Sequence, residues 1–304
     1  MSATDSSTGK EPANPERRGL KKGLYLIPSA FTAGNILMGF LALMASLRGF
    51  QLVGIGGDAN IMLAKTYFDF AAKAIGVALL FDMLDGRIAR MTKTTTEIGV
   101  QLDSLADVVT FGLAPAMLAY VWGYGASFSE GTDLYNLALF ISFMYLMCGI
   151  FRLARFNVQA SRPRILAEGT IKMDKKSFVG LPIPVAGGLV AAIVHFSPAP
   201  LISHGPERAQ LYAVLMIVLV ALLSLLMVST LRFSSFKAVG TKSRSMRTII
   251  LALGVGLLIV LFSRYVLLAI VIVYILLGLL ARMAGFFRRR PDQITRAELP
   301  AKET

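Results

Sequence analysis

The chain has 304 residues, of which 55% are hydrophobic and only 16% charged. That balance excludes an ordinary soluble domain and points to a membrane protein. The net charge of +13 would suit nucleic acid in a polar chain. In so apolar a sequence the basic residues belong to loops facing anionic headgroups, so no nucleic-acid partner is expected.

Residues 1–22 are polar and read as a disordered cytosolic tail. The first apolar run is too long for a signal-peptide core and stays in the mature protein. A bilayer crossing needs about 20 apolar residues. Eight segments meet that rule: Leu24 to Leu47, Tyr67 to Ile88, Ile98 to Trp122, Leu134 to Phe151, Val179 to Phe196, Leu211 to Leu231, Thr248 to Phe262, and Tyr265 to Phe287. The last two form one apolar region interrupted by Ser263-Arg264, about 60 Å long as a single helix, so a tight hairpin is expected there. The chain then divides into the tail 1–22, a membrane core 23–231, a two-helix extension 232–287 and a cytosolic tail 288–304. The fold class is an all-α integral membrane protein.

Basic residues alternate from loop to loop. One side of the expected topology carries only Arg48, Lys65, Arg208 and Arg264, with Lys73 inside a span. The positive-inside rule places both termini in the cytoplasm, which requires an even number of spans. The single cysteine, Cys148, lies in an apolar stretch and reads as a buried space-filler.

At the cytoplasmic end of the second span, Asp82 and Asp85 stand three residues apart and share a helix face, with Gly86 and Ala89 close to that face. Gly99, Asp103 and Asp107 follow after a short connection, and the last two are again on one face. Short connections make neighbouring helices antiparallel, so the four carboxylates can converge. Four ionised carboxylates at a membrane edge repel one another and resist desolvation. Hard oxygen donors in such a cluster suit Mg²⁺, Mn²⁺ or Ca²⁺, ions that neutralise a transferring phosphoryl group. Two salt-bridged pairs with Arg87 and Arg90 are the plain alternative, and they leave Asp103 and Asp107 unexplained.

The block D-x2-D-G-x2-A-R-x8-G-x3-D-x3-D, carried by Asp82, Asp85, Gly86, Ala89, Arg90, Gly99, Asp103 and Asp107, resembles the signature of the CDP-alcohol phosphatidyltransferases. The resemblance implies a six-helix membrane core, here followed by two C-terminal helices, that dimerises and displaces CMP from a CDP-linked lipid by an alcohol. It implies that Asp82, Asp85 and Asp103 are ligands of a divalent metal, two ions in all. Asp107 would ligate the second ion or act as the base on the acceptor hydroxyl. Gly86, Ala89 and Arg90 would line the nucleotide and phosphate pocket. The location implied is a multi-pass protein of a cell membrane such as the bacterial inner membrane, with its active site cytoplasmic.

Three further segments resemble the phosphatidylserine synthases within that family. Pro28 to Gly39 follows P-N-x2-T-x2-N-x3-G with Ser29 in place of the first Asn; Phe151 to Asn157 resembles R-x2-R-F-N; Phe178 to Pro184 resembles F-x-G-L-P-I-P. The resemblance implies CDP-diacylglycerol and L-serine as substrates. Thr32 and Asn35 then contact nucleotide, or alternatively bond helix to helix. Arg152, Arg155 and Asn157 hold a lipid phosphate or the serine carboxylate, or the arginines snorkel to headgroups. His195 and His204 fall on the opposite side and receive no role. Glycerol phosphate, inositol phosphate and choline are the rival acceptors. A cation transporter is the rival of another class, disfavoured because transport sites lie near the bilayer midplane.

Overall fold

The computed structural model describes residues 15–92, 97–161, 177–229, 232–234, 262–277 and 280. Helix α1 (Pro15–Ile55) is 41 residues long. It starts within the segment expected to be a disordered tail: proline suits the first position of a helix, and Glu16, Arg17, Arg18, Lys21 and Lys22 are good helix formers that hydropathy does not register. It ends at Gly56 and Gly57, both with positive φ (73° and 87°), a conformation that glycine alone adopts without strain. Helix α2 (Asp58–Thr92) returns antiparallel and extends beyond both ends of the expected second span.

Helix α3 (Glu97–Asp107) continues without a break through a π-helical stretch (Val108–Leu113), the short α4 (Ala114–Leu118) and a second π-helical stretch (Ala119–Tyr124). Pro115 explains the first irregularity. In an α-helix the Phe111 carbonyl would receive the N–H of residue 115, which proline lacks. The Tyr145 hydroxyl donates to that carbonyl instead, at 3.2 Å. Helix α5 (Asp133–Ser161), α6 (Ile183–Phe196) and α7 (Pro206–Val228) follow, with a 3₁₀ turn at Leu201–His204 before α7.

Helix α8 (Phe262–Leu277) includes Ser263 and Arg264 in its first turn, where the sequence suggested a break between spans. The expected seventh span lies outside the described residues apart from Phe262. The expected all-α fold carries one addition: strands β1 (Ser177–Val179) and β2 (Arg232–Ser234) pair antiparallel, with Phe178 opposite Phe233.

Among the described residues, four helical stretches are long and apolar enough to cross a membrane: Ala30–Ile55, Ile98–Tyr124, Asp133–Val158 and Pro206–Val228. Helices α6 and α8 are apolar but shorter. Large apolar side chains such as Phe40, Phe140, Phe143 and Leu225 are more than half exposed, which suits a surface solvated by lipid tails. The interior is built from alanines and a few large groups, among them Phe68, Phe111, Tyr124 and Tyr145. Small residues let helix backbones approach closely where no hydrophobic effect drives them together. Cys148 is free and buried, as its surroundings in the sequence suggested.

The segment before α6 shows how local sequence sets an anchor. Gly180 has φ +84°, and a Cβ there would run into the Met227 carbonyl. The Leu181 N–H then donates to the Leu226 carbonyl at 3.0 Å, and Pro182 caps α6. The F-x-G-L-P-I-P segment therefore ties α6 to the end of α7.

Candidate active site

Helices α2 and α3 bring three of the four motif aspartates together. One carboxylate oxygen from each of Asp82, Asp103 and Asp107 lies within 4.8 Å of the others. Asp85 faces elsewhere: its Oδ2 accepts a short hydrogen bond from the Thr32 hydroxyl of α1, while its charge still acts on Asp103. Asp85 and Asp107 are both buried, at 6% and 8% exposure.

Helix α1 supplies the third wall. Gly39 is buried at its crossing with the π-helical turn after Asp107, and a Cβ there would sit 3.0 Å from the Thr110 Cα. That close approach lets the Thr110 hydroxyl donate to the Asn35 carbonyl at 3.1 Å. One turn before Gly39, the Asn35 amide reaches the Asp107 carboxylate. Neither of its polar atoms makes an aligned hydrogen bond among the described residues, and Asp107 Oδ1 is likewise buried without one. Asn35 is 1% exposed. Buried amides left in this state are rare.

The fourth wall is α5. The Arg152 guanidinium acts electrostatically on Asp107, and Arg155 on Arg152. Arg152 and Asp107 do not close an ion pair within 4.0 Å, and Arg152 Nε is buried without a partner. Asn157 donates from Nδ2 to Ser104 Oγ at 2.9 Å, so this side chain locks α5 to α3 beside Asp103. Gly86 lies half-buried in the turn after Asp85. The side chains of Ala89 and Arg90 lie outside the described residues, as does that of Glu97.

The donor set fits a divalent cation. Three carboxylates converge, one with an unpaired buried oxygen, and among the described residues no cation pairs with Asp103 or Asp107 within 4.0 Å. Such a cluster needs positive charge nearby to persist. What sequence reasoning missed lies in long-range partners: Tyr145 for Phe111, Thr32 for Asp85, and a polar chain at the other end of the fold. There His195 Nδ1 lies 2.6 Å from Asp69 Oδ1, and His195 Nε2 lies 2.9 Å from Ser263 Oγ. Lys73 Nζ approaches Asp69 Oδ2 at 2.7 Å. Lys73, placed within a span by the sequence alone, is thus balanced by Asp69.

The sequence matches the model of the family described as CDP-alcohol phosphatidyltransferase over residues 25–205. It is 33% identical over 217 residues to a CDP-diacylglycerol–serine O-phosphatidyltransferase of Helicobacter pylori, covering 71% of this chain and 75% of that one. It is 30% identical over 214 residues to the Bacillus subtilis protein of the same name, covering 69% and 91%. An archaetidylserine synthase of Methanothermobacter thermautotrophicus shares 30% identity over 168 residues, 55% of this chain and 56% of that one. The matched residues contain the complete aspartate motif and every wall of the site described above, and the chain belongs to the CDP-alcohol phosphatidyltransferase family.

Proposed function

We propose that the chain transfers the phosphatidyl group of CDP-diacylglycerol to the hydroxyl of L-serine, giving phosphatidylserine and CMP. The observation that carries this reading is the convergence of Asp82, Asp103 and Asp107 within 4.8 Å, with the buried Asn35 amide against Asp107. The names of the relatives support serine as the acceptor.

Asp82, Asp103, Asp107 and the adjacent Asp85 would hold two divalent cations, Mg²⁺ or Mn²⁺, with Ca²⁺ as the alternative. When bound, they supply positive charge against the diphosphate and the leaving group. The chain's own groups do the rest. Thr32 fixes the Asp85 carboxylate by donating to it. The buried Asn35 amide, beside Asp107, offers donor and acceptor to the nucleotide. Arg152, coupled to Asp107, binds the serine carboxylate, and Arg155 a lipid phosphate. Asp107 takes the proton from the serine hydroxyl. The serine oxygen forms a bond to the phosphorus that bears diacylglycerol. The bond from that phosphorus to the bridging oxygen breaks, and CMP leaves with the electron pair.

The same reading includes eight crossings, both termini and the site on the cytosolic side, and a homodimer in the bilayer. The distribution of Lys and Arg and the apolar character of α6 and α8 support the topology, and the family resemblance supports the dimer. The deciding assay gives purified protein CDP-diacylglycerol, Mn²⁺ or Mg²⁺, and labelled serine, inositol phosphate, glycerol phosphate or choline in turn. Serine-dependent CMP release is expected; release only with another acceptor refutes the serine reading.

A further inference from the structure

Three polar side chains from three helices meet in a clasp far from the aspartates. Ser263 lies in the first turn of α8, His195 in the last turn of α6, and Asp69 in α2. His195 Nδ1 is 2.6 Å from Asp69 Oδ1, and His195 Nε2 is 2.9 Å from Ser263 Oγ. Asp69 and Asp82 share helix α2 and stand roughly 20 Å apart along its axis. Ser263 also lies outside the residues matched by the family model, which end at 205.

The donor sets fix where the protons sit. An ionised carboxylate only accepts, so the proton between Asp69 and His195 is on Nδ1. Lys73 Nζ, 2.7 Å from the other Asp69 oxygen, supplies the counter-charge. A neutral imidazole protonated at Nδ1 has its lone pair at Nε2, so the Ser263 hydroxyl donates to it. A hydroxyl bonded to a base that a carboxylate orients is the arrangement of an activated serine nucleophile, recognised by geometry and roles on unrelated folds. The base is sheltered, with His195 5% exposed, while Ser263 is half-buried and within reach of a substrate at the surface.

The surface around Ser263 indicates the substrate. Phe196 and Tyr265 stack edge to face at 5.5 Å, and Phe262 and Tyr265 are both more than half exposed. Exposed aromatic rings at the end of an apolar helix belong at the level of the lipid headgroups, where the ester carbonyls of lipids lie. We propose that Ser263, His195 and Asp69 form a second catalytic site, which cleaves an acyl ester of a membrane lipid through an acyl-serine. Ser263 Oγ bonds to the ester carbonyl carbon as its proton passes to His195 Nε2. The bond from that carbon to the alkoxy oxygen breaks, and the leaving oxygen takes the proton from Nε2. Water then attacks the acyl carbon and gives a proton to Nε2. The bond to Oγ breaks, Oγ regains the proton, and a carboxylic acid departs. Asp69 holds the ring in the required tautomer and faces the charge it gains.

The test uses the purified full-length protein in phospholipid nanodiscs. A fluorophosphonate probe, which labels activated serines, is expected to label the folded protein at Ser263, as located by peptide mass spectrometry, and to leave heat-denatured protein unlabelled. Hydrolysis of p-nitrophenyl decanoate should fall to the blank in Ser263→Ala and by about 10²–10⁴-fold in His195→Gln. CMP release should stay within about two-fold in Ser263→Ala, because it reads the aspartate site alone; either site can therefore fail without the other. Fatty acid release from phosphatidylethanolamine vesicles should exceed that of Ser263→Ala. No labelling at Ser263, or hydrolysis unchanged in Ser263→Ala, overturns the proposal and leaves the clasp a structural contact. Labelling without release of fatty acid overturns the assignment of a lipid ester as substrate. Ser263→Ala removes a single oxygen, so the decision stands even if His195→Gln does not fold.

Discussion

Replacing Gly39 by alanine inserts a methyl group where α1 crosses the π-helical turn that follows Asp107. The added carbon would stand 3.0 Å from the Thr110 Cα and Cβ, whereas carbon atoms pack at about 3.5–4.0 Å. Cα belongs to the backbone, so rotation of a side chain cannot relieve the contact. The helices must separate by about 0.5–1 Å. That shift stretches the 3.1 Å bond from Thr110 to the Asn35 carbonyl beyond hydrogen-bond range and draws the Asn35 amide away from Asp107. Overpacking of this kind costs about 1–3 kcal/mol of stability. A misplacement near 1 Å in a reacting site lowers the rate by up to about 100-fold. Gly54 on the same helix is the control, because a Cβ there meets nothing within 4 Å. Initial rates of CMP release and thermal unfolding in detergent should show a 10- to 100-fold loss of kcat/KM for Gly39→Ala and none for Gly54→Ala. Wild-type kcat/KM in Gly39→Ala would refute the argument that this close approach sets the site.

Asp107→Asn keeps the shape of the side chain and removes the proton acceptor. Turnover should fall by about 10²–10⁴-fold with an unchanged unfolding midpoint, and appreciable activity would take Asp107 out of the base role. Chelation by EDTA should stop CMP release and lower the unfolding temperature of the wild-type protein. Saturating Mn²⁺ at about 100 times its Kd restores roughly 2.7 kcal/mol, and a Tm indifferent to Mn²⁺ would argue against a cation among the aspartates. Gly180→Ala combines a φ of +84° with a Cβ driven into the Met227 carbonyl. The backbone part alone costs about 1–2 kcal/mol, so a clear drop in Tm is expected, and an unchanged Tm would contradict the φ assigned to that residue.

The aspartate cluster was legible in the sequence because its geometry is local. Spacings of three and four residues on two helices joined by a short connection bring Asp82, Asp103 and Asp107 together, whereas Asp85, expected to converge with them, is drawn to Thr32. The partners of those carboxylates were not legible. Thr32 and Asp85 are 53 residues apart, Thr110 and Asn35 are 75 apart, and no periodicity links them. Pro115 carried a readable signal, since a proline inside an apolar span must orphan a carbonyl; which hydroxyl would answer it was not readable. The polar clasp is the extreme case, with His195 126 residues from Asp69 and 68 from Ser263. Hydropathy also misjudged the ends of α1 and α2, because helices continue through polar residues, and α1 stops only where Gly56 and Gly57 take positive φ.

The segments that single out serine as acceptor divide once their contacts are known. Gly180 to Pro184 shapes the turn into α6 and bonds to the end of α7, a packing role without contact to the aspartates among the described hydrogen bonds. Asn157 bonds Ser104 and so holds α5 against α3. Within R-x2-R-F-N this leaves Arg152 as the group coupled to Asp107. An acceptor bearing a carboxylate differs from choline in charge and from the sugar phosphates in shape, and a guanidinium recognises it through paired donors that lysine cannot present. Discrimination among acceptors should therefore follow Arg152 and whatever orients it, while changes in the glycine-proline segment should alter stability without changing which alcohol is used.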